Sequence, residues 1–276
     1  MTAALERGPL EEEERPAEFV EALAKGLAVL ECFDADHAEM TLSDVARRAG
    51  LSPSAARRSL LTLKTLGYVG QADKRFHLRP KVMNLGSAFI FSARVEETLQ
   101  PELRRLVERF GDASSVATLD GDDVIYIGHY SEQRARRRTA FVGVRYPAFA
   151  TSLGRVLLAG LDRDALDAYF DRLSPVALTA NTVTDKATLR SLIDDARRDN
   201  YAATVDQLDY GITALAVPIR GKGDRIVASL NTSGYSGAVT AEDLVRDRLP
   251  ELQASAARIS HLLLRYSVLA HIVGAQ

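Results

Sequence analysis

The sequence predicts an α+β chain with two domains, a small N-terminal winged helix-turn-helix and a larger mixed α/β domain. Three observations predict it. Two short, capped helices flank Gly50 and run into a basic hairpin that ends near Leu78. From Ser114 onward, strand-like and helix-like runs interleave without a regular βαβ rhythm. A long amphipathic stretch closes the chain from about Ala241. At 276 residues there is room for more than one core.

The first eighteen residues are acidic, carry Pro9, Pro16 and the block Glu11 to Glu14, and read as a solvated tail. The winged domain is expected over 19–79. Its first helix runs from about Phe19 to Phe33, with Val20, Leu23, Leu27, Leu30 and Phe33 at three- and four-residue steps. Cys32 beside that face, without a neighbouring His, reads as a core filler. Thr41 opens a second helix, with Asp44 three residues on to complete a capping box. Leu42, Val45, Ala46 and Ala49 make its inner face, and Gly50 supplies the left-handed stop. Ser52 caps a third helix with Pro53 in its first turn; Leu60, Leu61, Leu63 and Leu66 are expected to bury its later turns, and Gly67 ends it. The run "YVGQADKRFHL" is the wing, with Lys74 and Arg75 at its tip.

Charge identifies the partner of this module. Between Met40 and Pro80, eight Lys and Arg residues face only Asp44 and Asp73, a local charge of +6 in a chain of −2. Early turns of the second helix of such a motif meet base edges and phosphates. Thr41, Ser52, Ser54, Arg57, Arg58 and Ser59 are therefore the expected DNA-facing residues, with Lys74 and Arg75 on the wing for phosphate contact. Double-stranded DNA is the expected partner.

Residues 80–94, which begin "PKVMNLGSAFIFSA", are too apolar for a free linker and read as a linker helix. The second domain is expected over 95–276. It begins with an amphipathic helix to Phe110, built on Leu99, Leu103, Leu106 and Val107. A hairpin joins Ser114–Leu119 to Val124–Tyr130 through an Asp-Gly turn, and another strand is expected near Thr139. Helices follow from Ser152, Asp164 and Asp185, and strands over Ala202–Val205, Ile212–Pro218 and Ile226–Thr232. "TSLG", Thr151 to Gly154, opens a helix whose free N–H groups attract a carboxylate. The run Arg134 to Arg138 lies upstream; strand alternation turns one member inward, with Arg138 the candidate, to pair with an acid. Tyr146 and Tyr210 are candidates for an aromatic wall.

Other chemistries lack their residues. His37, His77, His129, His261 and His271 show no metal-ligand spacing, and neither a nucleophile elbow nor a phosphate-binding loop is present. No cofactor, metal or catalytic residue is expected. No apolar run approaches the length of a membrane span, the N-terminus is not a secretion signal, and a single cysteine fits a reducing compartment. Cytoplasm is the expected location. A hydrolase or transferase with an N-terminal assembly module is the alternative reading.

The stretches "TLSDVARRAGLS", "LKTLGYV", "YPAFATSLGRVLLAG" and "GITALAVPI…VASLNTSG" resemble the isocitrate-lyase-regulator (IclR) family of bacterial transcription factors, over roughly Phe19 to Tyr266. Within the family, "AARRSLLTLKTLGYV" and "VGVRYPAFATSLGRVLLA" look most like regulators of protocatechuate and 4-hydroxybenzoate catabolism. The resemblance implies a GAF-like effector domain, and assembly as a homodimer or a tetramer made of dimers. It implies an effector pocket that includes Thr151, Ser152 and Leu153, with Ser229 and Asn231 on a late strand. Thr204 falls where some members place a ligand-contacting Asp, and Ala214 where some place a Cys. Those two departures argue against a small keto acid and for an aromatic carboxylate, of the 4-hydroxybenzoate or protocatechuate type, as the signal controlling aromatic-acid catabolic genes.

Overall fold

The computed structural model describes residues 16–92, 95–132 and 140–265. Its chain divides into two compact units, Met1–Ser87 and Ala88–Gln276. The boundary falls inside a helix, within the stretch expected as the linker.

The first unit begins with helix α1, Glu21–Glu31. Strand β1 (Glu39–Thr41) and helix α2 (Leu42–Arg48) follow, then α3 (Pro53–Leu66) and the strands β2 (Val69–Ala72) and β3 (Arg75–Leu78). The capping box at α2 is present, with Thr41 and Asp44 each bonding the other's backbone N–H. Gly50 and Gly67 both adopt positive φ, 63° and 83°, which ends each helix where no side chain is tolerated cheaply. Val29, Met40, Val45, Leu60, Val69 and Phe76 form the core.

Two expectations about this unit are corrected. Of the stripe on α1, Val20, Leu23 and Leu27 are 60%, 62% and 46% exposed, and the helix turns Val29 and Cys32 inward instead. On α3, Leu60 and Leu63 are buried, whereas Leu61 and Leu66 are exposed. The third strand of the sheet, β1, was not expected. It pairs antiparallel with β3, placing Met40 opposite Phe76.

After a 3-10 turn at Pro80–Val82, α4 covers Met83–Ser92, followed by the short α5 (Val95–Thr98) and α6 (Gln100–Phe110). The second unit is built on a six-stranded antiparallel sheet in the order β6-β5-β4-β9-β8-β7. Its strands are β4 (Ala113–Asp120), β5 (Asp123–Ser131), β6 (Arg145–Pro147), β7 (Ala202–Val205), β8 (Ile212–Arg220) and β9 (Ile226–Tyr235). Helices α7 (Ser152–Ala159), α8 (Arg163–Arg172) and α9 (Lys186–Asp199) cover one face, where Val124, Phe149, Leu153, Phe170 and Ile193 pack. Helices α6 and α10 (Ala241–Arg265) cover the other over Leu103, Val116, Leu215, Leu230 and Leu252. Arg105 reaches Glu251 at 2.6 Å and Arg258 reaches Glu102 at 2.8 Å, which pins α6 to α10. The strand expected to begin near Thr139 starts outside the described residues, and the described strand, β6, has three residues and pairs Tyr146 with Val124.

Candidate nucleic-acid interface and effector site

In the first unit, Ser52 is the N-cap of α3 and its Oγ accepts the N–H of Ala55 at 3.3 Å. That cap, with Pro53 behind it, fixes the first turn and sets Ser54, Arg57 and Arg58 on the outside of the helix. Ser59 is half-buried at the edge of this face. Arg57, Arg58 and Lys74 are exposed, and their side chains make no ion pair or hydrogen bond among the described residues. Arg75, also exposed, only approaches the Glu39 carbonyl at 3.4 Å.

Of the other cations of the window, Arg79 is exposed with no side-chain partner among the described residues, and Arg47, Lys64 and Arg48 are occupied. Arg47 pairs with Asp44, and Lys64 donates to Gln71 at 2.8 Å. Arg48 donates to Asp34 at 2.7 Å and to the Cys32 carbonyl at 3.0 Å. Thr41 is spent on its capping box: its hydroxyl donates to Asp44 at 2.7 Å, so its contribution is to orient α2. The structure thus separates structural charge from free charge, a division invisible in the sequence. The free cations sit on the early turns of α3, at the tip of the wing and, with Arg79, just after β3. Burial pushes the Cys32 thiol up to about 11 and its Sγ donates to the Val29 carbonyl, as expected of a core filler.

In the second unit, the register of the sheet sorts the site residues. Ser115, Asn231 and Ala216 stand side by side across β4, β9 and β8, and Ser233, Ala214 and Thr204 across β9, β8 and β7. Alternation puts both rows on the face covered by α7, the face to which Ala117 and Ala216 belong. Half of that face is filled by Tyr126, Val124 and Phe149. The other half carries small or neutral polar side chains, among them Ser115, Asn231, Ser233, Ala214 and Thr204.

Above this shelf lies the entry to α7. Thr151 is its N-cap, with Oγ1 accepting the Gly154 N–H at 2.9 Å. A Cβ on Gly154 would lie 2.1 Å from the Ala148 carbonyl oxygen, so only glycine lets the 3-10 turn Ala148–Ala150 fold onto the helix start. The N–H groups of Ser152 and Leu153 have no intrahelical acceptor, and the Ser152 hydroxyl is buried without a partner among the described residues. Ser229 donates to the Leu153 carbonyl at 3.1 Å, and Asn231 Oδ1 accepts the Ser115 N–H at 2.8 Å. Next to them, Ser115 Oγ and His129 Nδ1 are 2.9 Å apart, and burial holds the imidazole below its ordinary range.

The expected residues divide accordingly. Thr151, Ser152, Leu153, Gly154, Ser229 and Asn231 come together, and Thr204 faces Ala214 directly across β7 and β8. Tyr146 stands half-buried in β6, edge-on to Tyr126 with ring centres 5.4 Å apart. Tyr210 is corrected as a wall residue: its ring is 61% exposed and its hydroxyl accepts the Ala180 N–H, since the loop after β7 turns it outward. Arg138 lies outside the described residues. Sequence reasoning missed Arg155, on α7 and 2% exposed. The signal was its place three residues after Ser152, on the same side of the helix.

Among the described residues no His, Cys, Asp and Glu cluster is able to hold a metal, and no helix is long and apolar enough to cross a membrane.

With this geometry in place, comparison with known proteins is direct. Residues 22–73 match the IclR helix-turn-helix domain, and residues 88–261 match the bacterial transcriptional regulator IclR C-terminal domain. The Pca regulon regulatory protein of Pseudomonas putida is 34% identical, over 89% of this chain and 85% of its own. The p-hydroxybenzoate hydroxylase transcriptional activator of Acinetobacter baylyi is 32% identical, over 91% of this chain and 95% of its own. Among solved structures, an IclR homolog of Microbacterium hydrocarbonoxydans complexed with 4-hydroxybenzoate superposes with a TM-score of 0.72 at 27% identity. The match covers 90% of this chain and 98% of that one.

Proposed function

The chain belongs to the IclR family of bacterial transcriptional regulators, and from that premise we propose that it senses a monocyclic hydroxylated aromatic carboxylate of the 4-hydroxybenzoate or protocatechuate type. It is a DNA-binding regulator and not an enzyme, which removes the hydrolase or transferase alternative. The observation that carries the effector reading is the shelf of small, neutral polar side chains facing the start of α7. The short side chains of Ser115, Ala214 and Thr204 beside Asn231 suit a ring with polar substituents, while the N–H groups at the start of α7 suit a carboxylate. The Microbacterium hydrocarbonoxydans homolog complexed with 4-hydroxybenzoate, and the Acinetobacter baylyi relative named as an activator of p-hydroxybenzoate hydroxylase, support the same reading. Effector binding shifts the DNA-binding modules only by its differential affinity for their two states.

Arg57, Arg58, Ser54, Lys74 and Arg75 are the DNA-contacting residues in this reading, and Thr41, Ser52 and Ser59 support them. The regulator acts in the cytoplasm as a homodimer or a dimer of dimers. The exposed stripe Val20, Leu23 and Leu27 on α1, with Met83 and Leu85 on α4, is apolar surface that assembly would cover. Calorimetry of the full chain with 4-hydroxybenzoate, protocatechuate and pyruvate, followed by a mobility assay on operator DNA, tests the reading. Binding of a hydroxylated aromatic acid with altered DNA affinity is expected. Binding of pyruvate alone would reject the aromatic assignment, and light scattering at the mass of one 30.1 kDa chain would reject assembly.

A further inference from the structure

Arg155 is a guanidinium that the fold buries without giving it an anion. It projects from the second turn of α7 and is 2% exposed. Both of its hydrogen bonds go to neutral acceptors, Nε to the Phe149 carbonyl at 3.2 Å and Nη2 to the side-chain oxygen of Gln207. Nη1 has no partner among the described residues. A small cleft of about 100 Å³ between α9 and β7 brings Asp195 and Asp199 to the same neighbourhood. Both carboxylates are occupied by Arg198, each at 2.8 Å, and neither lies within ion-pair distance of Arg155. Burial alone lowers the Arg155 guanidinium to about 10, a value at which it remains cationic at neutral pH.

A buried charge with neutral partners is a costly arrangement unless something else compensates it. Its position supplies a candidate. Phe149 precedes the Thr151 cap, and Gln207 follows the strand that carries Thr204, so the guanidinium is held between the two edges of the effector site. The buried, unpartnered Ser152 hydroxyl is one helical turn before it on the same side. We propose that Arg155 is the cationic partner of the effector carboxylate, taking the acid through Nη1 with Ser152 Oγ as a second donor. This rests on the reading of the shelf as an acid-binding site, and gives to Arg155 the role expected of the run at residues 134–138.

Gln207→Glu tests the assignment with little risk to the fold, because Gln207 is half-buried and the change is isosteric. It hands Arg155 an internal carboxylate. Calorimetry on the full chain should show 4-hydroxybenzoate affinity reduced about 10- to 100-fold. Binding of 4-hydroxybenzamide, which lacks the charge, should be unchanged, and the thermal midpoint equal or higher. Arg155→Gln should collapse the same acid-to-amide ratio, with Arg155→Lys restoring part of it. Equal loss of acid and amide in these variants would reduce Arg155 to a packing residue and overturn the proposal. Wild-type acid affinity in Gln207→Glu, or no carboxylate bound by the wild type, would also overturn it. Pyruvate bound in place of 4-hydroxybenzoate and lost in Gln207→Glu would sustain Arg155 while rejecting the aromatic effector.

Discussion

The hydroxyl of Ser229 on β9 donates to the Leu153 carbonyl on α7 at 3.1 Å, and both residues are fully buried. This one bond fastens the helix that opens the effector site to a central strand of the sheet. Ser229→Ala leaves that attachment unmade at a site with no access for water. A loss of about 1 kcal/mol is expected, read as a drop of roughly 2–4 °C in the melting temperature of the unliganded protein. Effector affinity should fall as well, because the freed turn must be re-ordered on binding. An unchanged midpoint would show that the bond contributes nothing net.

Two glycines give opposite predictions for one substitution. At Gly154 a methyl group would collide with the backbone of Ala148, an obstacle that no rotamer change removes. Gly154→Ala should cost at or above the upper end of the ~1–3 kcal/mol usual for overpacking, with effector binding abolished. At Gly86, inside α4, nothing lies within 4 Å of the added Cβ. Gly86→Ala should be neutral or stabilising by roughly 0.5–1 kcal/mol. Paired thermal melts decide both.

The fate of these residues shows what the sequence reveals and what it withholds. Caps, turns and strands are written locally: the Thr41–Asp44 box, Ser52, Gly67 and β7 all fall where their residue types require. Apolar periodicity finds a stripe but not its cover, and the outward face of α1 is the result. The three residues of β1 carry no strand signal of their own, because pairing with β3 makes them a strand. Arg155 reads as an ordinary polar helix position. Only the packing of α7 against sheet and loop reveals it as buried. The polar shelf needed the β8–β9 and β4–β9 registers, which are tertiary facts.

Arginines of the winged unit should separate into two classes on truncation. Arg57→Ala or Arg58→Ala should cost about 1–3 kcal/mol of operator affinity and relax preference at one base pair. Lys74→Ala should weaken all sequences alike and flatten the salt dependence by about one charge. Arg48→Ala should instead lower the melting temperature, because it removes the bridge from α2 to Asp34 and to the Cys32 carbonyl. Fluorescence anisotropy over a salt series, beside thermal melts, separates these effects. Full operator affinity in an Arg57→Ala/Arg58→Ala double variant would exclude α3 as the reading helix.

His129 makes stability depend on pH with a definite sign. Burial depresses its folded pKa below the ordinary 6.5, so the unfolded chain binds the proton more readily than the native one. The stability that the neutral ring contributes is complete above the unfolded pKa and is lost as pH falls through 6.5 towards the folded pKa. The bond to Ser115 belongs to the same state, with one ring nitrogen free to accept. Urea midpoints measured over roughly pH 5 to 8 should therefore decline on the acid side, and His129→Gln should flatten that part of the curve. A slope that survives the substitution unchanged would place the acid sensitivity in another group.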